Sequence, residues 1–333
     1  MNHEIDLSKY EIYTDLINES IEKEVDIKGI HQNVRNYKDI KITKVRLNKN
    51  NTLNKKSGIY VTIEFDDITD SANKKLVEDV FCKEIKKIIR KDYNNILVVG
   101  LGNNKSTPDS LGPLSIEEVL VTNHIYEMNR LDEGFRRVSV LKPGVTGETG
   151  IETYSVIKSL TKTLNPDLVI VIDSLCSTSI ERVNKTIQIT NSGISPGSGI
   201  GNSRKELSRE TLGVDVIAIG VPTVVSAVTI VSDTINYLYK NFSYNKNNKS
   251  NGLILSKNYL KKDIEVKEED KRELLGLVGH LNSDEIKLLI DEVLSPIDYN
   301  LMVTPKEINF VIQKLSSIIG IGLNKAIHSN YIN

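Results

Sequence analysis

Apolar and polar positions follow two rhythms along this chain, and each change of rhythm marks an element. Ile59, Val61, Ile63 and Phe65 alternate with Tyr60, Thr62 and Glu64, the two-residue period of a half-exposed strand. Leu76, Val77, Val80, Phe81, Ile85, Ile88 and Ile89 then fall on one helical face. Cys82 lies inside that helix and reads as a packing residue. Residues 96–99 are apolar throughout, as in a strand buried on both faces, and a helix is predicted over 114–128. A helix over 154–164 is stopped by Asn165-Pro166, and an apolar strand over 168–172 leads to Asp173. Another apolar strand, 216–219, runs through "GVPTVV" into a helix over 227–239. Apolar strands alternating with amphipathic helices predict an α/β fold, a mostly parallel sheet with helices on both faces.

Beyond that core the pattern changes. The stretch "NFSYNKNNKSNG" (241–252) is polar and low in complexity, and predicts a flexible linker region over 241–265. Helices are predicted over 268–281, 284–294 and 305–328, a helical C-terminal appendage occupying 266–328. The last helix opens with Thr304-Pro305-Lys306-Glu307, a capping threonine, a first-turn proline and a glutamate that can reach back. No internal repeat is visible.

Composition narrows the partners. The 333 residues are 39% apolar and 26% charged, as in a soluble globular protein. Forty-three basic against 44 acidic residues give no reason to expect nucleic acid or an anionic membrane as a direct partner. No apolar run approaches the roughly 20 residues of a membrane span. The start, "MNHEIDLSKYEIYTD", lacks a basic-then-apolar signal pattern. Two cysteines, Cys82 and Cys176, make no disulfide framework and suit a reducing cytoplasm.

The candidate chemistry lies in "ILVVGLGNNKSTPDSLGP" (96–113) and "LVIVIDSLC" (168–176). Each places Asp-Ser-Leu behind an apolar strand, at Asp109 and at Asp173. In open α/β sheets, sites form beyond the carboxyl ends of the strands, where the fold can bring two such carboxylates together. A close pair cannot readily ionise twice, so one pKa rises. The ionised member can then take a proton from water while the other donates to a carbonyl oxygen, which suffices to hydrolyse an amide. The plainer alternative has Asp109 capping the next helix and Asp173 in an ordinary loop.

Other motifs carry less. "GLGNN" lacks the third glycine of a dinucleotide fingerprint, where Lys105 stands, and no acidic partner for a ribose follows. The loops "PGVTGETGIET" (143–153) and "SGISPGSGIGN" (192–202) offer backbone N–H groups to a ligand, or are tight connections. Gly193 to Gly197 spell G-x-S-x-G, but Pro196 and further glycines follow Ser195 where a nucleophile elbow needs a helix. His3, His31, His124, His280 and His328 are scattered, without H-E-x-x-H or C-x-x-C, so no metal or other cofactor is predicted. His124 falls in a predicted helix as a packing or surface residue.

Taken together, "VVGLGNNKSTPDSLGP", "KPGVTGETGIET", "IDSLCSTSIERVNKTIQITNSGISPGSGIGNSRKEL", "TLGVDVIAIGVPTVVSAVTIVSDT" and "LMVTPKE" resemble the germination protease family of spore-forming bacteria, over nearly the whole chain. The resemblance implies an atypical aspartic endopeptidase whose two catalytic aspartates match Asp109 and Asp173. It implies a fold similar to hydrogenase maturation endopeptidases, and a spore-core enzyme that degrades small acid-soluble spore proteins during germination. It also implies a zymogen, here with a pro-segment over 1–15, a catalytic domain over 16–240 and autocleavage between Asp15 and Leu16. Thr14-Asp15-Leu16-Ile17 imitates the family's targets, cut after an acidic residue with an apolar one following. A homotetramer is implied as well. Gly102, Asn103, Gly144, Gly147, Gly150, Gly197, Gly199 and Gly201 are the candidate substrate-binding loop residues. Ser174, Cys176 and a short 241–252 linker depart from the family pattern. The residues alone leave two other readings open, a metal-dependent maturation-type hydrolase with both aspartates as ligands and a nonenzymatic small-ligand binding protein.

Overall fold

The apolar runs form the middle of one mixed sheet in the computed structural model, whose described residues are 14–24, 28–53, 55–197, 204–247, 264–294 and 301–331. In chain order come α1 (Ile17–Lys23), β1 (Ile30–Tyr37), β2 (Ile40–Leu47), β3 (Gly58–Glu64), α2 (Ser71–Lys86), β4 (Asn95–Gly100), α3 (Leu111–Glu117) and α4 (Asn123–Glu127). They continue with β5 (Arg137–Leu141), α5 (Thr146–Thr149), α6 (Thr153–Leu164), β6 (Leu168–Ser177), β7 (Thr186–Thr190), α7 (Arg209–Leu212) and β8 (Asp215–Ser226). The strands are ordered β1-β2-β3-β7-β8-β6-β4-β5.

Only part of the sheet has the parallel pairing expected: β4 is parallel to both β5 and β6. From β1 through β3 and β7 to β8 the pairing is antiparallel. For β1 and β2 the cause is local, a two-residue reversal at Lys38-Asp39 with Lys38 at φ 52°. Tyr60 to Ile63 of β3 are all buried rather than alternating, since Ile17 and Ile21 of α1 cover the second face with Val45, Leu47 and Tyr60.

Two cores follow from the strand alternation. Ile96, Val98, Ile170, Ile172, Ile187, Ile189, Ile217 and Ile219 pack on one face with Val77, Phe81 and Ile85 of α2. Leu97, Val99, Val169, Val171 and Val216 pack on the other with Ile157 of α6. Helix α2 begins where Asp70 accepts from the backbone N–H groups of Ala72 (2.9 Å) and Asn73 (3.0 Å). Helix α6 ends as predicted, with Asn165 in the left-handed conformation before Pro166. The single helix expected over 114–128 is instead the short α3 and α4.

Among the described residues, the compact units divide the chain elsewhere than the linker pattern does: 14–224 with 304–331 form one, and those within 225–303 the other. The second contains α8 (Ala227–Asn247), α9 (Glu268–Leu275), α10 (Ser283–Leu294) and β9 (Met302–Val303). Its core joins Val228 and Tyr239 to Ile286 and Ile290. Helix α8 runs into the stretch expected to be linker, because Ser243 and Lys246 bind the Asp270 carboxylate at 2.9 and 2.8 Å. The rest of that linker, 248–263, lies outside the described residues.

Helix α11 (Ile308–Ile327) belongs to the sheet's unit, not to an appendage. It is long and apolar enough to cross a membrane, yet most of it is buried, and Ile312, Leu315, Ile319 and Leu323 join the α2 face of the core. Thr304 does not cap it: its hydroxyl donates to the Thr223 carbonyl at 2.8 Å. Just past α11, His328 is buried against Phe135, its Nδ1 accepting from the Arg136 backbone N–H at 3.1 Å. Burial, reinforced by the Arg136 charge, pushes its pKa down to about 4. His328 is therefore neutral when folded, and the stability it carries is present above the unfolded value of about 6.5 and lost as pH falls toward 4. Thermal unfolding across that window should show His328→Gln losing less stability than wild type, by about 2 kcal/mol.

Candidate active site

Beyond β4 the backbone turns through Leu101 and Gly102 and returns in a 3-10 turn, Thr107–Asp109. The return is tight. Gly102 has φ 110°, and a Cβ there would lie 2.0 Å from the Asp109 carbonyl oxygen. The loop closes on the side chain it presents, since Asp109 Oδ2 accepts from the Asn103 N–H at 2.8 Å. Asp109 thus caps its own loop and not the helix behind it. Helix α3 starts at once and is wedged against the sheet: a Cβ on Gly112 would lie 2.3 Å from the Leu101 carbonyl oxygen and 2.6 Å from that of Ile172. This wedge sets Asp109 beside the strand that carries Asp173.

Strand β6 continues to Ser177, so Asp173 stands within it and not in a loop after it. Alternation puts Asp173 and Leu175 on the face of Val169 and Val171. Gln188 and Thr190 of β7 lie on the same face, because Ile187 and Ile189 point the other way. The Asp173 carboxyl is buried, and its Oδ1 accepts from the Ser174 N–H at 2.9 Å. Burial holds its pKa well above the usual carboxylate range, and the charges of Asp109 and Asp15 raise it further. Burial also raises Asp109, but the Asn103 N–H and the Arg204 charge oppose it. The two environments push the pair apart: both carboxyls are raised, Asp173 more strongly, so it holds its proton to higher pH than Asp109 does.

The N-terminal stretch lies along the same end of β6. Asp15 Oδ2 accepts from the Cys176 N–H at 3.0 Å, and the Asp15 carbonyl accepts from Gln188 Nε2 at 2.9 Å. The Ile17 N–H donates to Gln188 Oε1 at 2.8 Å, and the Leu16 N–H to the Thr14 hydroxyl at 3.2 Å. Leu16 and Ile17 are buried. Behind them Glu19, also buried, accepts from the Thr178 N–H and hydroxyl at 2.8 Å each and from Ser177 Oγ. Arg182 reaches Glu19 at 3.6 Å and Glu64 at 3.3 Å and also pairs with Glu22. A cavity of about 150 Å³ opens beside Asp15, lined among others by Lys56, Tyr60, Gln188, Thr190 and Ser195.

The glycine loops divide. Gly144 and Gly150 have positive φ around the exposed α5, which contains Gly147, and Lys105 meets Glu148 at 3.1 Å. Gly197 has φ 74°, while Gly199 and Gly201 lie outside the described residues. Ile194 pairs with Leu207, and among the described residues the next helix after Ser195 is α7 at Arg209, with Ser195 itself in an irregular stretch and not at a strand–helix turn. Among the described residues, no group of three or more His, Cys, Asp or Glu could hold a metal ion. Cys82 packs against the core, where burial raises its thiol pKa, and His124 is exposed on α4. Gln188, Glu19, Arg182 and Arg204 were not singled out from sequence. The strict alternation in Thr186-Ile187-Gln188-Ile189-Thr190 was the available sign for Gln188, and Glu19 had none, its partners lying some 160 residues away.

Three comparisons bear on this arrangement. The family model described as germination protease matches residues 7–333. Germination proteases of Bacillus cereus (strain G9842) and Priestia megaterium (strain ATCC 12872 / QMB1551) are 44% and 42% identical, each match covering 98% of this chain and 96% of the relative. Among solved structures, a NiFe hydrogenase maturation protease from Thermococcus kodakarensis KOD1 overlaps 44% of this chain and 80% of its own, at 20% identity and a TM-score of 0.27. That overlap is too slight to bear on fold or chemistry.

The electrostatics of the pair can be read directly. In carboxyl carbon NMR titrations, Asp173 should titrate above the usual carboxylate range and move down in Asp109→Asn and, less, in Asp15→Asn, because each removes a like charge. An Asp173 value unmoved by either change would mean that burial alone sets it.

Proposed function

The chain belongs to the germination protease family, and on that premise we propose that it is the zymogen of a sequence-specific endopeptidase. It cuts its own Asp15–Leu16 bond, then hydrolyses small acid-soluble spore proteins after acidic residues in the germinating spore. The observation that carries this reading is the split between two neighbouring carboxyls, one on the loop after β4 and one within β6. Asp173 is buried with its pKa raised well above the usual carboxylate range, while the smaller rise of Asp109 is opposed by the Asn103 N–H and the Arg204 charge.

In this mechanism Asp109 takes a proton from water, and the water oxygen bonds to the carbonyl carbon of the peptide. Asp173 donates toward the carbonyl oxygen as charge develops there. The carbon–nitrogen bond then breaks, and the amine leaves with a proton from the pair. The exposed glycines of the α5 loop, with Gly197 and the neighbouring Gly102 and Asn103, are suited to hold an extended, largely disordered substrate by its backbone. A homotetramer follows from the family resemblance alone.

The test is intact-mass spectrometry of wild type, Asp109→Asn and Asp173→Asn, each incubated with a small acid-soluble spore protein. Wild type should lose residues 1–15 and yield fragments ending in Glu or Asp, and either substitution should slow both cuts by about 10³-fold. Equal cutting by all three proteins would place the chemistry elsewhere. Loss of wild-type cutting with a chelator, restored by a divalent ion, would favour a metal-dependent hydrolase.

A further inference from the structure

Gln188 spans the peptide bond on which that reading turns. Its two side-chain atoms are fixed by what they face: the Ile17 N–H can only donate, so it takes Oε1, and the Asp15 carbonyl can only accept, so it takes Nε2. The amide therefore bridges the residues on either side of the Asp15–Leu16 bond, with a donor aimed at the oxygen of that bond. Side chain and backbone of Asp15 are held at once, the carboxylate by the Cys176 N–H and the carbonyl by Gln188. Gln188 is buried, shares the sheet face of Asp173, and borders the cavity that opens beside Asp15.

We propose that Gln188 grips the scissile peptide, in this chain's own N-terminal segment and then in substrate. Nε2 holds the carbonyl oxygen of the acidic residue, and Oε1 holds the N–H two residues on. The proposal rests on the reading of Asp15–Leu16 as the bond the enzyme cuts. An uncharged donor already on that oxygen meets the negative charge that grows as water adds to the carbon, and such a donor costs no rearrangement during the reaction. Bridging both sides also fixes the register, so that one bond of an extended chain is presented. Asp15 stands in for the acidic residue of a substrate. The cavity of about 150 Å³ leaves room for a longer acidic side chain once residues 1–15 have gone.

A merely structural Gln188 would anchor the N-terminal segment and nothing else, and the two roles separate after maturation. Full-length wild type, Gln188→Ala, Gln188→Glu and Asp109→Asn are incubated until intact mass shows the loss of residues 1–15. The matured fractions are then assayed on a peptide containing one Glu-Ile bond. The expected result is about a 10²-fold slower self-cut in both Gln188 variants, and a similar fall in peptide turnover, mainly in kcat, with melting temperatures near wild type. Gln188→Glu keeps the acceptor and loses the donor, so a fall there equal to that of Gln188→Ala identifies the donor as the part that matters. If matured Gln188→Ala turns the peptide over as wild type does, the grip on substrate is overturned while the two-aspartate reading stands. If Asp109→Asn cuts as fast as wild type, the underlying reading fails first, and this one with it.

Discussion

A carboxyl group withdrawn from water within a strand is unfavourable when ionised, and Asp173 is placed so that the surrounding residues maintain that condition. Leu175 and the apolar residues of β6 exclude water on its own strand, and Asp109 and Asp15 add like charge. The group answers by keeping its proton. The second carboxyl could not serve as its complement in an identical environment. Asp109 sits on a loop whose own N–H supports its charge, an asymmetry that in the proposed mechanism would let one of the two accept a proton while the other gives one.

The asymmetry depends on backbone packing more than on the side chains. Gly102 lets the loop fold onto Asp109, and Gly112 lets α3 approach the carbonyl groups of Leu101 and Ile172. Neither contact survives a Cβ without displacement of the loop or the helix. The wedge is backed by α11: a Cβ at Gly320 would lie 2.6 Å from the Ser115 carbonyl oxygen, so α11 presses on α3 closely. The helix nearest the C-terminus thus supports the loop that bears Asp109, which is why it packs with the sheet.

Much of this was readable from the residue pattern. The apolar strands at 96–99, 168–172 and 216–219 reported themselves because both faces are buried, which leaves no polar position to blur the run. Asp109 and Asp173 were visible as breaks in that pattern at strand ends. Strand β1 was not, because nearly all of its side chains are exposed and it holds to β2 through backbone bonds that any sequence can make. The extension of α8 through Asn247 was hidden because its polar Ser243 and Lys246 find their partner, Asp270, beyond the linker. The N-terminal contacts of Gln188 and Glu19 were hidden in the same way, by partners far along the chain.

Those long-range contacts divide the N-terminal stretch at one point. Leu16, Ile17 and Glu19 are buried, Ile17 in the α1 core and Glu19 on the Ser177-Thr178 backbone and hydroxyls, while the Thr14 hydroxyl accepts from the Leu16 N–H and donates to Glu19. Asp15 is held by Cys176 and Gln188 at the site itself. The proposed cut between 15 and 16 would leave Leu16, Ile17 and Glu19 buried in the protein and break the covalent link to Thr14 and Asp15. It would also reverse the local charge: the Asp15 carboxylate, one of the charges raising Asp173, departs, and an α-amino group with an ordinary pKa of about 8 appears at Leu16. Both changes ease ionisation of Asp173. On the proposed reading, the Asp15 charge adds to burial and to Asp109 in raising Asp173, and its loss would bring the two carboxyls nearer to sharing one proton.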